Sequence, residues 1–226
     1  MRRASSRVTS TGVLSVTDFV LANLPSPPAR VLEVGCGDGK LARKLAASGY
    51  DVLAIDPAAP DGPLFRRIKL EELEEDARFD AVVANRVFHH MGEGLEPNLE
   101  RVARALEGGG PFVADEFGPD RLDGPTADWY EGQRRILAAA GRGNERPGAA
   151  EWEAHHSSVT ASDVLLAAFR RRFEQRSYEE FPYLWRYLDG VASADLEQSL
   201  IDLGAIRALG YRFVGMPRDR SAFQDV

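Results

Sequence analysis

Glycine stands at every second position between residues 35 and 39, in the run LEVGCGDGKLA (32–42). Just ahead of it, RVLEV (30–34) carries Val31, Leu32 and Val34 as a nearly continuous apolar run, the pattern of a parallel strand covered on both faces. Just behind it, KLARKLAAS places Leu41, Ala42, Leu45 and Ala46 on one helical stripe and Lys40, Arg43 and Lys44 on the other, with Gly49 where a C-terminal cap belongs. DVLAI, ending at Asp56-Pro57, reads as the second strand of a β-α-β unit with a right-handed crossover. A strand-to-helix turn presents free backbone N–H groups to a ligand. Glycine there permits positive φ and removes the Cβ that would strike the ligand.

The alternation continues. PAAPDGPL holds three prolines and a glycine and cannot form a helix, so FRRI (65–68) is expected either as a strand at a trimmed sheet edge or as an extended segment. EELEED (71–76) has room for one short helical turn before the strand FDAVVAN (79–85). EPNLERVARALEGGG then aligns Leu99, Val102, Ala103 and Leu106 on one helical face, and PFVADEF (111–117) is a fifth strand. Residues 29–117 therefore predict a doubly wound α/β sheet.

From 118 to 192 the texture changes: Trp129, Trp152 and Trp185, all the tryptophans of the chain, lie here with Tyr130, Tyr178, Tyr183 and Tyr187. SDVLLAAFRRR reads as a helix and FEQRSYE as a strand. ADLEQSLIDLGAIRALG reads as a long helix and YRFVGMP as the last strand. One domain is expected over 1–226, with a helical cap (1–28), a ligand-binding half (29–117), an aromatic-rich lid region (118–192) and a C-terminal helix and strand (193–226).

Two ligands compete for the glycine loop. A dinucleotide fingerprint is G-x-G-x-x-G, whereas the run here is G-x-G-x-G, with Lys40 where that fingerprint wants glycine or alanine. VLEVGCGDGKLARKLAASGYDVLAIDP resembles the first motif of class I S-adenosylmethionine-dependent methyltransferases. FDAVVANRVFHHM and RALEGGGPFVADE resemble that family's later segments, in the right order. The resemblance covers about 90 residues, 29–117.

The resemblance implies a seven-stranded Rossmann-like sheet, mostly parallel with one antiparallel strand near the edge, and S-adenosyl-L-methionine as cofactor. Its binding set would be Glu33, Gly35, Gly37, Gly39, Asp56, Leu70 and Asn85. Glu33 would orient the loop or meet the cofactor's ammonium through water, with an exposed strand end as the structural alternative. Asp56 would accept the ribose hydroxyls, and its alternative is a cap on the turn before Pro57. Where the family often has an acid after strand three, this chain has Lys69-Leu70 and then Glu71-Glu72, so backbone groups near Leu70 are expected to hold adenine.

On the acceptor side, His90 is the candidate base or orienting group, with His89 beside it. Glu116 is the second catalytic candidate; it and Asp115 are strand neighbours that point to opposite faces, so at most one of them enters the site. Trp129, Tyr130 and Tyr183, with Trp185, are expected as an apolar lid over the substrate, and Arg134 and Arg186 as holders of an acidic group on it. EWEAHH (151–156) offers Glu and His at helical spacing, but nothing completes a metal ligand set and a solvated helix face is expected. No G-x-S-x-G elbow supports hydrolysis.

The net charge of −7 argues against nucleic acid or an anionic membrane as partner. Cys36 is the only cysteine, which excludes an intrachain disulfide and points to a reducing compartment, the cytoplasm. VLSVTDFVLANL is broken by Asp18 and too short to span a bilayer; Ser15 and Asp18 have the spacing of a helix cap. These readings converge on methyl transfer to a small molecule at O, N or C, by a monomer or homodimer. A nicotinamide-dependent oxidoreductase and a non-catalytic S-adenosylmethionine-binding protein are the rivals.

Overall fold

The computed structural model of the chain describes residues 14–190 and 194–218. Residues 1–13 of the expected N-terminal cap, and 191–193 and 219–226, lie outside the described residues.

The apolar runs form the strands β1 (Arg30–Val34), β2 (Asp51–Ile55), β4 (Ala81–Asn85) and β5 (Phe112–Phe117), with β3 reduced to Phe65–Arg66. β6 (Phe173–Phe181) and β7 (Gly210–Pro217) complete one seven-stranded sheet in the order β3-β2-β1-β4-β5-β7-β6. The first five strands are parallel; β7 runs antiparallel to both β5 and β6, one place in from the edge. The expected mixed sheet is therefore present.

Helices cover both faces because successive strand residues alternate between them. Val31, Val52, Ala54, Ala81 and Val83 pack beneath α1 (Val16–Asn23) and α2 (Lys40–Ala47). Leu32, Val34, Val82, Phe112 and Ala114 face α3 (Leu95–Ala105) and α6 (Ser162–Arg172). Phe112 centres that second layer, edge-on to Phe88 and Phe169 and stacked on Phe173. A third cluster, of Phe117, Tyr130, Trp152, Phe181, Tyr183, Leu184, Leu188 and Leu209, is built largely from the aromatic region. It gathers α4 (Gly124–Ala139) and α5 (Trp152–His155) against the end of β5.

Local chemistry explains the element ends. Ser15 caps α1, accepting the Asp18 N–H while its own hydroxyl donates to the Asp18 carboxylate. Asp123 caps α4 through the Thr126 N–H, with Pro125 in the first turn.

FRRI forms the trimmed edge strand, the first of its two expected readings, and pairs with β2 over two residues only, since the proline-rich link delivers the chain to the edge with little length to spare. One expectation needs correction. The long C-terminal helix stops early: α7 is Ala194–Asp202, followed by Gly204 at φ +69°. At the end of α6, Arg171 pairs with Glu96 and Arg172 with Glu100, tying α6 to α3.

Candidate active site

The three glycines of the loop all have positive φ, but for different neighbours. A Cβ on Gly35 would stand 2.5 Å from the Val87 side chain, and one on Gly39 2.5 Å from the Phe65 ring. A Cβ on Gly37, at φ +50°, would meet nothing within 4 Å. Two glycines thus let the loop pack against its own fold, and only the middle one leaves bare backbone facing open space.

The loop is tied down by backbone bonds from the Gly35 and Cys36 N–H groups to the Ile55 carbonyl. The Gly37 N–H donates to Asp56 Oδ2 at 3.1 Å and the Ala58 N–H to Oδ1 at 2.7 Å. Asp56 therefore does cap the turn before Pro57, and the same carboxylate borders the cavity. Each oxygen accepts one bond here, which leaves lone pairs for a ligand's hydroxyls.

Glu33 is fully buried in β1, so the exposed-end alternative does not hold. Desolvation raises its carboxyl from 4.5 to about 8, against the lowering effect of the Ala42 backbone N–H. Its Oε2 has no hydrogen-bond partner, although the residue lines the cavity. An acid whose folded value is raised contributes stability that is complete below about 4.5 and lost as pH climbs through about 8. Replacing Glu33 with Gln removes that component. The melting temperature of the variant should fall less than that of the wild type between about pH 5 and about pH 9; parallel curves in the two proteins would contradict the burial argument. Cys36 is inert by the same physics, its thiol pushed up by burial to about 12.

The cavity measures about 890 Å³. Beneath the tips of β1 and β2 it is walled by Glu33, Gly35–Asp38 and Asp56, with Val16 and Thr17 of α1 alongside; past β4 and β5 come Asn85, Arg86, His89, His90, Phe117, Tyr183 and Tyr187. His155 and His156 close the far wall, so all four histidines of the chain line one cavity. Among the described residues, no group of three or more His, Cys, Asp and Glu side chains is placed to hold a metal ion.

The two carboxylates at the end of β5 turn to opposite faces, as strand geometry requires, and neither lines the cavity. Asp115 pairs with the buried Arg212 at 2.9 Å. Glu116, fully buried, collects the Val87 and Phe88 N–H groups on Oε1 and meets His89 Nδ1 at 2.6 Å with Oε2. Glu116 thus reaches the site only through His89. The emphasis on His90 also shifts: His90 is exposed at the cavity wall, its imidazole lowered chiefly by desolvation, while His89 is the buried, carboxylate-held ring. Strand periodicity alone did not reveal which histidine would turn inward, because both sit in a 3₁₀ turn (Phe88–His90).

Other candidates separate. Tyr183 lines the cavity, its hydroxyl 3.5 Å from Arg86. Its turn is pinned by buried Glu197 of α7, which accepts the Tyr183, Leu184 and Trp185 N–H groups. Tyr130 is fully buried in the aromatic cluster, bonded to the Pro147 carbonyl, and Trp129 packs against that cluster; neither lines the cavity, and neither does Trp185. Leu70 is buried in the core under α3 and does not line the cavity either. Arg134 is engaged by Asn144 and Glu131, and Arg186 packs over the Tyr183 and Trp185 rings. In EWEAHH, Glu151, Glu153 and His155 are exposed as expected, but Trp152 is buried and the half-buried His156 bonds the Trp152 carbonyl and the Tyr187 hydroxyl. Arg86, Phe117, Tyr187 and His156 are among the cavity residues that sequence reasoning missed. Arg86, held at φ +58° directly after β4, had the one available signal, its place at the carboxyl edge of the sheet.

The sequence profile of a methyltransferase domain matches residues 11–177, well over half of the chain. The chain belongs to that family. A ubiquinone biosynthesis O-methyltransferase of Xanthomonas campestris is 43% identical over 63 residues, 28% of this chain and 25% of that protein. The chain thus spans about a quarter of the length of that curated relative. An S-adenosylmethionine-dependent methyltransferase of Mesorhizobium loti shares the fold with a TM-score of 0.55 at 21% identity, over 87% of this chain and 95% of its own. The 1,6-didemethyltoxoflavin-N1-methyltransferase of Burkholderia thailandensis, solved with 1,6-didemethyltoxoflavin and S-adenosylhomocysteine, superposes with a TM-score of 0.52 at 17% identity, over 85% of this chain and 72% of its own.

Proposed function

We propose that this methyltransferase-family chain binds S-adenosylmethionine across the bare backbone at Gly37 and transfers its methyl group to a small molecule. The observation that carries the reading is the convergence on one cavity wall of three features: a glycine whose missing Cβ faces open space, the Asp56 carboxylate, and a buried Glu33 oxygen without a partner. An orphaned buried carboxyl oxygen suits a ligand that brings its own cation, and Asp56 suits vicinal hydroxyls. Gly35 and Asn85 line the same cavity, whereas Gly39 lies outside the lining and serves the loop by letting it pack on Phe65. No part of this set is built around a phosphate, in keeping with the G-x-G-x-G spacing.

When bound, the cofactor supplies a methyl group already activated as a sulfonium. The protein's share is then alignment and exclusion of water, and orientation is worth roughly 7–11 kcal/mol in favourable cases. His89 takes or holds the acceptor's proton on Nε2, because Glu116 occupies Nδ1 and fixes the tautomer. His90 borders the same space as a second polar contact. Tyr183 and Phe117, stacked with ring centres 4.3 Å apart, supply an apolar wall. Trp129 and Tyr130 support that wall from behind.

A small acceptor is favoured by a cavity of about 890 Å³ and by a net charge of −7. The 1,6-didemethyltoxoflavin bound to the Burkholderia thailandensis neighbour and the O-methyltransferase named among the relatives agree with it. No helix among the described residues is long and apolar enough to cross a membrane. With the single cysteine, this supports a cytoplasmic protein acting as one methyltransferase unit, monomeric or homodimeric.

The reading is tested by calorimetric titration with S-adenosylhomocysteine and with NADH. Tight binding of the first and none of the second is expected. Asp56→Ala should weaken the first by about tenfold or more, since it removes charge-assisted bonds to the ligand and the anchor of the Gly37 N–H. Unchanged affinity in that variant would remove Asp56 from the site.

A further inference from the structure

The polarity of the far cavity wall can be read from one chain of hydrogen bonds. His156 Nδ1 lies 2.8 Å from the Trp152 backbone carbonyl, and its Nε2 lies 3.0 Å from the Tyr187 hydroxyl. A carbonyl only accepts, so Nδ1 must carry the proton. Nε2 is then a bare lone pair, and the Tyr187 O–H must donate to it. With its single proton committed, the Tyr187 oxygen can offer the cavity only its own lone pairs. Both residues line the cavity, beside the stacked rings of Phe117 and Tyr183. Phe117 also meets His156 edge-on at 5.5 Å and Tyr187 at 5.9 Å, so the flat apolar surface and the polar oxygen adjoin.

We infer that Tyr187, oriented by His156, is a specificity-determining contact for the methyl acceptor, and that it selects a planar ring bearing a hydroxyl hydrogen-bond donor. This rests on the proposed methyl transfer and names the class of acceptor. An analogue without the hydroxyl leaves the Tyr187 oxygen desolvated and unmatched, which is how a polar site rejects it. His156 is a positioning residue here, acting through Tyr187.

The arrangement has a direction in pH. Burial lowers the His156 imidazole below its ordinary value of 6.5, so the ring is neutral at neutral pH. Protonation in acid puts a proton on Nε2, which must then donate to the Tyr187 oxygen and turn the Tyr187 proton outward. The wall changes from acceptor to donor. The other groups facing the pair are His155, His89 and His90 around His156, and Arg146, Arg86, Tyr183 and Tyr130 around Tyr187. Because three of these are also histidines, the pH effect is assigned by a variant and not by its midpoint.

The experiment measures binding of phenol and of toluene, matched in size, to the protein saturated with S-adenosylhomocysteine, by ligand-observed NMR titration. Phenol should bind about tenfold tighter than toluene near neutral pH, and the preference should weaken on acidification below the ordinary histidine range, because a phenol oxygen accepts a hydrogen bond less well than its O–H donates one. Tyr187→Phe should bring the two ligands to equal affinity, and His156→Phe should leave a preference that no longer responds to pH. Equal affinities in the wild type, no binding of either probe, or a preference that survives Tyr187→Phe would overturn the inference. S-Adenosylhomocysteine affinity is read in the same samples. Its absence in the wild type defeats the cofactor reading, whereas its presence without a hydroxyl preference defeats this inference alone.

Discussion

Glu116→Ala should cost the protein about 3–5 kcal/mol of stability, the largest effect expected of any single polar substitution in the site. The carboxylate is wholly buried and takes three hydrogen bonds, from the Val87 and Phe88 N–H groups and from His89. Truncation leaves the buried Phe88 N–H and His89 Nδ1, and the part-buried Val87 N–H, without a partner. It also frees the turn that carries Val87, whose side chain fills the space above Gly35. Thermal or urea denaturation checks this, and a loss under about 1 kcal/mol would mean that solvent reaches the turn.

Glu116→Gln separates the structural role from the chemical one. The amide oxygen can keep both backbone N–H groups, but the amide nitrogen then faces His89 Nδ1 and donates to it. The imidazole proton must move to Nε2, turning the nitrogen left for the acceptor from a lone pair into a donor. The variant should stay folded, show the exchanged tautomer in nitrogen-15 histidine spectra, and lose about 100-fold or more in methyl transfer to an acceptor that must give up a proton. Retained transfer with an exchanged tautomer would exclude His89 as the base.

The second large effect is expected at Gly37. A valine there faces no neighbour, so the fold should suffer only the strain of a β-branched residue at φ +50°, about 1–3 kcal/mol. Binding of S-adenosylhomocysteine should nevertheless fall below detection, because the new side chain stands on the wall where the ligand lies. Gly35→Ala and Gly39→Ala make the contrast. Both place a methyl 2.5 Å from a packed side chain, Val87 or Phe65, and both should lower stability more than they alter the shape of the ligand wall. If Gly37→Val bound normally while the two flanking variants did not, the roles assigned to the glycines would be reversed.

The contrast among these glycines shows how far the sequence could be read. Strands and helices over 29–117 were legible because their apolar periods are strong and local, and the order of the motifs carried the sheet topology. Glycine spacing told that the backbone at 35–39 comes close to something, but not that two of the three contacts are internal. Val87 and Phe65 are distant in sequence, and only the tertiary packing brings them to the loop.

The acceptor side was less legible for the same reason. His156 and Tyr187 are 31 residues apart, joined by a hydrogen bond that no local pattern announces. Tyr130 has the look of a lid residue and is core, since α4 turns it toward Trp152 with ring centres 5.6 Å apart. Glu197 lies in a helix whose sequence carries two other acids, yet it is buried beneath three backbone N–H groups, its carboxyl raised above the ordinary range by desolvation. Strand alternation alone puts the adjacent acids of β5 on opposite faces. That each is consumed by an internal partner, Arg212 or the 87–89 turn, required the fold.

The most direct measurement is a crystal structure of the protein grown with S-adenosylhomocysteine. The account predicts the ligand across Gly37, with its ribose hydroxyls on Asp56, its ammonium toward Glu33 and its sulfur facing the space bounded by His89 and Tyr183. A ligand bound elsewhere, or a cavity that stays free of it at saturating concentration, would contradict the account.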